Sequence, residues 1–282
     1  PAQLQDRGGV TMTATIRNLS WEQYFALPAL SSTGARRIVA QSPFHYRFGE
    51  STDSAAMRLG RAVHMLALES DLFAEKFQLF VPEKGTGSRA ANDEAKATAA
   101  AAGITLLTET QWDRALKMRD AIRNHPTANA LIEGATLEES IEWTDPETGC
   151  PCKARLDIQG AGCVTDIKTA RSASLKAFSK SVASYGYHMQ AAWYLDAAKA
   201  KGAVPNAFRF IVIESKAPFA IAVYTLAADA IQLGRNQNAN ARRTYTDCTT
   251  RGYWPGYPVE SVEIDLPDWS YTDALGPDAE AE

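Results

Sequence analysis

The sequence predicts an α/β (mixed α+β) fold, a central mixed sheet flanked by helices, and three observations carry that expectation. Three alternating segments, residues 135–145, 152–161 and 162–170, follow one another across short turn-rich connections. A second pair of alternating segments occupies 207–215 and 219–227. Helical periodicity fills the stretches before, between and after them. With 282 residues and 45% hydrophobic content, the chain has enough apolar side chains to cover both faces of such a sheet in one domain.

In chain order, residues 1–11 are polar and glycine-containing and are expected to be a flexible leader or an added remnant. Residues 21–41 begin amphipathic, with Ser31 or Ser32 as the N-cap of a short helix that Pro43 closes. DSAAMRLGRAVHMLALES, residues 53–70, carries Ala56, Leu59, Val63 and Leu66 at helical spacing. A strand at 77–81, an alanine-rich helix stopped by Gly103, a brief strand, and a helix capped by Thr108 over 110–124 follow. The three central strands are separated by Asp145-Pro146-Glu147-Thr148-Gly149 and Gly160-Ala161-Gly162, which predicts antiparallel pairing. Helices over 172–183 and 187–201, a hairpin around Lys216-Ala217-Pro218 and a helix over 227–247 complete a single domain expected to span 12–260. Residues 261–282 are acidic and expected to be partly irregular.

Composition excludes some classes. No stretch approaches the roughly 20 apolar residues that cross a bilayer, and no charged-then-apolar signal layout is present, so no membrane partner and a cytoplasmic location are expected. Cys150, Cys152, Cys163 and Cys248 fit neither a zinc ribbon nor a disulfide framework. A net charge of −4 argues against a general basic coat for nucleic acid. The charge is unevenly spread, however: between Lys153 and Lys201 eight lysines and arginines face three acids.

The chemistry concentrates in CVTDIKTA, residues 163–170. Period-two alternation puts Val164, Asp166 and Lys168 on one face, and the hairpin brings Asp157 from the preceding strand alongside, with Arg155 and Asp157 opposite the face of Ala154, Leu156 and Ile158. Two acids placed together repel unless a cation lies between them. Hard oxygen ligands point to Mg²⁺, Mn²⁺ or Ca²⁺, and a nearby lysine can position or deprotonate a water for phosphodiester cleavage. By itself this trio reads first as a salt-bridged strand pair. His64, four residues after Gly60 on one helix face, is a candidate ligand or a hydrogen-bonded core residue. Glu139 shares a face with Leu137, Ile141 and Trp143, where an acid is costly unless paired or bound to metal. Gln190 and Tyr194 lie one turn apart on a later helix, as functional groups or as a core rim.

GxxxH, then Asp157, then Asp166-Ile167-Lys168 and a helix with QxxxY resemble the RecB-like branch of the PD-(D/E)XK nuclease superfamily. SSTGARRIVAQSPFHYRF, LGRAVHMLALES, EESIEWTDPETGCPCKARLD, VTDIKTA, YGYHMQAAWYL and GYWPGY, in that order over residues 31–257, resemble the nuclease domain of RecE-type exonucleases. The resemblance implies a restriction-endonuclease-like fold and a Mg²⁺-dependent exonuclease, Mn²⁺ substituting, that digests linear double-stranded DNA from 5′ ends. It implies a 3′ single strand left for recombination by an annealing protein of the RecT type, and a homo-oligomeric ring, a tetramer or trimer. Carried over, it makes Asp157 and Asp166 metal ligands, Ile167 a ligand through its carbonyl, and His64 a ligand or its support. It makes Lys168 the group serving the water, Glu139 a further acid, and Gln190 and Tyr194 groups that steady the site. The cysteines do not match the iron–sulfur nucleases of this branch, so no cluster is expected. A structure-specific endonuclease and a non-catalytic DNA-binding phage protein are the rival readings.

Overall fold

The computed structural model describes residues 14–17, 19–50, 53–160, 162–267 and 270; the leader at 1–11 and most of the tail fall outside them. The chain starts with β1 (Ala14–Arg17) and α1 (Trp21–Ala26), whose Ser20 and Gln23 form a reciprocal capping box. β2 (Leu30–Ser31) runs directly into α2 (Ser32–Ala40), and Ser31 is its N-cap, accepting from the Gly34 amide. Pro43 both ends that stretch and occupies the first turn of α3 (Pro43–Phe48), where its missing N–H costs nothing. α4 (Ala55–Leu68) is the expected amphipathic helix. After it come α5 (Phe73–Lys76), β3 (Phe77–Phe80), α6 (Ser88–Ala101), β4 (Thr105–Thr108), α7 (Glu109–Asn124) and α8 (Pro126–Ile132). β3 and β4 pair in parallel as a separate two-stranded sheet.

The central strands are β5 (Thr136–Thr144), β6 (Pro151–Gly160) and β7 (Cys163–Ala170). Next come α9 (Leu175–Ser184), α10 (Tyr187–Ala200), the hairpin β8 (Ala207–Glu214) and β9 (Ile221–Thr225), and the long α11 (Ala228–Arg251). Among the described residues the main sheet runs β1-β5-β6-β7-β8-β9, with β2 beside β6. β5, β6 and β7 pair antiparallel as expected, while β7 and β8 are parallel across the α9–α10 crossover. The sheet is therefore mixed.

Each face of the sheet carries its own apolar core. Ala154, Leu156, Val164, Phe208, Phe210 and Val212 face Trp193 and the alanines of α10, with α2, α9 and α11 around it. Ile158, Ile167, Ile211 and Ile213 face Val63, Met118 and Leu131 of α4, α7 and α8. Ile158 departs from strict alternation: it joins the α4 side, not the side of Ala154 and Leu156. The switch coincides with Glu138, which has a φ of 50° and lies across the ladder from the preceding Asp157. None of the helices among the described residues is long and apolar enough to cross a membrane.

α10 and α11 approach closely because Gly234 leaves room for the next backbone. A Cβ there would lie 2.3 Å from the His188 carbonyl oxygen. Gly234→Ala should therefore cost about 2 kcal/mol through a backbone shift. Thermal unfolding reads this as a lowered Tm, and an unchanged Tm would show that the two helices separate freely.

Candidate active site

The site begins with a fork in the sheet. β6 and β7 pair at Ile158↔Thr165, Gln159↔Val164 and Gly160↔Cys163 and then separate. Further along the same edge, β2 takes up the pairing at Cys152 and Lys153. The gap lies between Asp157 on one strand and Asp166-Ile167-Lys168 on the other. In place of the ladder, the Ile167 amide donates to Asp157 Oδ2 at 3.3 Å, and His64 Nε2 donates to the Ile167 carbonyl at 2.6 Å. A cleft of about 630 Å³ opens there, lined by His64, Glu138, Asp157, Asp166, Lys168 and Gln190.

Each functional side chain is held from behind. Gln190 Nε2 donates to Asp166 Oδ1 at 2.7 Å. The Lys168 ammonium meets Asp166 Oδ2 at 2.5 Å and lies 4.7 Å from the centre of the Tyr187 ring. Arg155, buried beneath the cleft, donates to Glu138 Oε2 at 2.8 Å, to Glu69 Oε1 at 3.0 Å and to the Leu19 carbonyl at 2.8 Å. Tyr194 is held as a neutral phenol, since burial and the nearby Asp157 and Asp166 push its pKa well above the ordinary value.

The electrostatics favour a cation. Burial, with Asp166 and Glu138 adding to it, raises the Asp157 pKa well above the usual carboxylate range. Burial pushes Glu138 up to about 7, against the pull of Arg155. His64 is held below its usual value, mainly by burial. With its Nε2 proton committed to Ile167, neutral His64 turns the Nδ1 lone pair toward Asp157 Oδ2, 3.4 Å away. Two lone pairs that face one another need a proton or a metal between them. One ligand atom each from His64, Glu138 and Asp157 lies within 4.8 Å of the others, a donor set of two oxygens and one nitrogen that suits a divalent ion. The residues fit such an ion.

Seven of the eight expected residues, His64, Asp157, Asp166, Ile167, Lys168, Gln190 and Tyr194, line this one cleft. Glu139 does not. It is ion-paired with Lys201 at the end of α10, away from the cleft. The acid that does reach the cleft is its neighbour Glu138. The positive φ at Glu138 breaks the alternation on which the choice of Glu139 rested. Cross-strand register would have found it. Leu137 pairs with Ile158 and Glu139 with Leu156, so the residue opposite Asp157 is Glu138. Arg155, as the group holding that acid, was also not anticipated.

A family model described as a PDDEXK-like domain of unknown function (DUF3799) matches residues 40–265. No curated protein matches the chain by sequence. The crystal structure of a candidate exonuclease from Eubacterium rectale is similar at a TM-score of 0.59 and 11% identity, covering 91% of this chain and 98% of the other, a likeness of fold. A phage-related exonuclease from Haemophilus somnus shares 10% identity over 79% of this chain and 96% of its own, at a TM-score of 0.32, too loose to bear on the fold.

Two outcomes test the donor set. In calorimetry with Mn²⁺, Glu138→Gln should weaken binding roughly tenfold or more, whereas Glu139→Gln should bind like the wild type; the reverse ranking would restore Glu139. The second outcome concerns pH. Glu138 has a folded pKa raised from 4.5 to about 7, so the ion-free folded state holds more protons than the unfolded one across that window. Its contribution to stability is present at low pH and lost as pH rises. The Tm of ion-free protein should fall from pH 5 toward pH 8 and recover on adding the ion.

Proposed function

Because the chain belongs to the family of PDDEXK-like domains of unknown function, we propose that it is a divalent-metal-dependent nuclease, and more finely an exonuclease of linear double-stranded DNA. The observation that carries the proposal is the meeting of Glu138, Asp157, Asp166 and Lys168 in one cleft at the fork of β6 and β7. A scaffold has no use for three acids converging with His64 and Lys168 at an opened strand edge, whereas a phosphodiester hydrolase does.

Asp157, Glu138 and His64 would hold the ion, with Asp166 and the Ile167 carbonyl beside them, and Mg²⁺ with Mn²⁺ as its substitute is the ion proposed. When bound, such an ion neutralises charge that gathers on the phosphate during hydrolysis. The Lys168 ammonium would orient the attacking water and offer positive charge to the developing oxyanion. Asp166 keeps the ammonium in place and is itself kept from turning by Gln190. Tyr194 keeps a neutral hydroxyl in the cleft wall as a hydrogen-bonding group for the strand being cut.

The finer parts of the proposal rest on the likeness of the sequence to RecE-type exonucleases. They are digestion from 5′ to 3′, a 3′ overhang passed to a RecT-type annealing protein, and a ring of three or four copies acting in the cytoplasm. A single nuclease domain over 12–260 belongs to the same proposal.

Asp166→Ala should abolish degradation of linear duplex with Mg²⁺ while circular dichroism stays native. Lys168→Ala should slow it by roughly 10²- to 10⁴-fold. Duplexes labelled at either 5′ or 3′ ends, run beside a covalently closed circle, decide the finer reading. Loss of the 5′ label first with the circle spared is expected; nicking of the circle would point to an endonuclease.

A further inference from the structure

One wall of the cleft is not used by the hydrolytic chemistry above. α1 is only six residues long and buries a single side chain, Tyr24, yet it is tied down at both ends by β6. Lys153 Nζ donates to the carbonyls of Tyr24, Phe25 and Leu27 at 3.0, 3.2 and 2.8 Å. Arg155 holds the Leu19 carbonyl just ahead of the helix, and Lys76 pairs with Glu22 at 2.7 Å. A connector needs no such anchoring. What the anchors hold still is a stack: the Arg155 guanidinium lies 4.2 Å from the Trp21 ring centre, and Trp21 stacks on Phe25 at 5.7 Å and 28°. The outermost ring is the open one, for Phe25 is 68% exposed at the cleft.

We infer that Phe25 is a stacking platform for one nucleobase of an unpaired DNA strand whose phosphate lies among the carboxylates and Lys168, an inference that rests on the nuclease reading above. An exposed aromatic face suits a base of any sequence, because every base has a π-face. For the backbone the same cleft wall offers Arg36 besides Lys168, while Arg61, also in the wall, is held by Asp53. A flat apolar surface next to a phosphate-directed site, with positive charge around it, complements a nucleotide rather than an apolar peptide. At about 630 Å³ the cleft is on the scale of one or two nucleotides. Bases inside a duplex have both faces covered, so Phe25 can engage only a base already released from its stack. The platform therefore selects frayed or single-stranded ends, and Trp21 and Arg155 tie its position to that of Glu138.

The test uses the full chain carrying Asp166→Ala, so that binding is read without turnover. The probes are a fluorescent thymidine tetranucleotide and the same backbone with abasic sites. Anisotropy should show a clear preference for the base-bearing probe. Adding Phe25→Ala should weaken tetranucleotide binding roughly tenfold and erase that preference, and Phe25→Trp should restore it. Equal binding of the two probes by the parent chain, or equal loss of both in Phe25→Ala, would overturn the inference. If the wild-type chain nevertheless cleaves linear duplex, the nuclease reading stands without it. If the wild-type chain cleaves no DNA, the reading beneath falls instead.

Discussion

Two neighbouring strands that separate after three paired positions create the space that every other feature of the cleft occupies. A backbone that leaves its ladder has unpaired N–H and C=O groups, which are expensive when buried. Here they are met by side chains that the chemistry needs. Asp157 accepts from the Ile167 amide, His64 donates to the Ile167 carbonyl, and β2 takes over the edge of β6 beyond the gap. The candidate ligands thus also repair the sheet. Their positions are set by backbone geometry as much as by rotamer choice, which is how a hydrolytic centre comes to be preorganised.

The second constraint is charge. Glu69, Glu138, Asp157 and Asp166 are drawn together around Arg155 and Lys168, and most of these groups are buried. Acids outnumber bases there, and burial amplifies the imbalance by taking water away. The protein relieves it in part by raising the pKa of Asp157 and Glu138. A dication would relieve it without protons, and the hard oxygen donors are suited to one. Under the proposed function, the same imbalance would repel a phosphodiester from an ion-free cleft, so that affinity for substrate and for the ion would be linked.

Much of this was legible in the sequence, and the exceptions have physical causes. β7 and α4 stand out because alternation and helical spacing persist over eight and fourteen residues. Asp157, Asp166 and Lys168 could be brought together on paper because a short turn between regular strands leaves few alternatives. Glu138 could not be distinguished from Glu139 by alternation, since a non-glycine residue at φ 50° leaves no mark in a hydrophobic pattern. β1, β2, α1 and α8 escaped notice because two to seven residues make too few repeats for a period to show. α1 in particular is stabilised by Lys153 and Arg155, more than a hundred residues away, and no local propensity encodes that.

Lys153, Arg155 and Asp157 occupy alternate positions of β6, all buried, and each is hydrogen-bonded to partners from other elements. A slip of one residue during folding would turn three charged groups into the apolar core against Trp193 and would push Ala154 and Leu156 toward the cleft. Few errors of assembly could be so heavily penalised. The strand that carries the candidate site therefore also fixes the register of the sheet, because the same buried charges that line the cleft disfavour any other pairing.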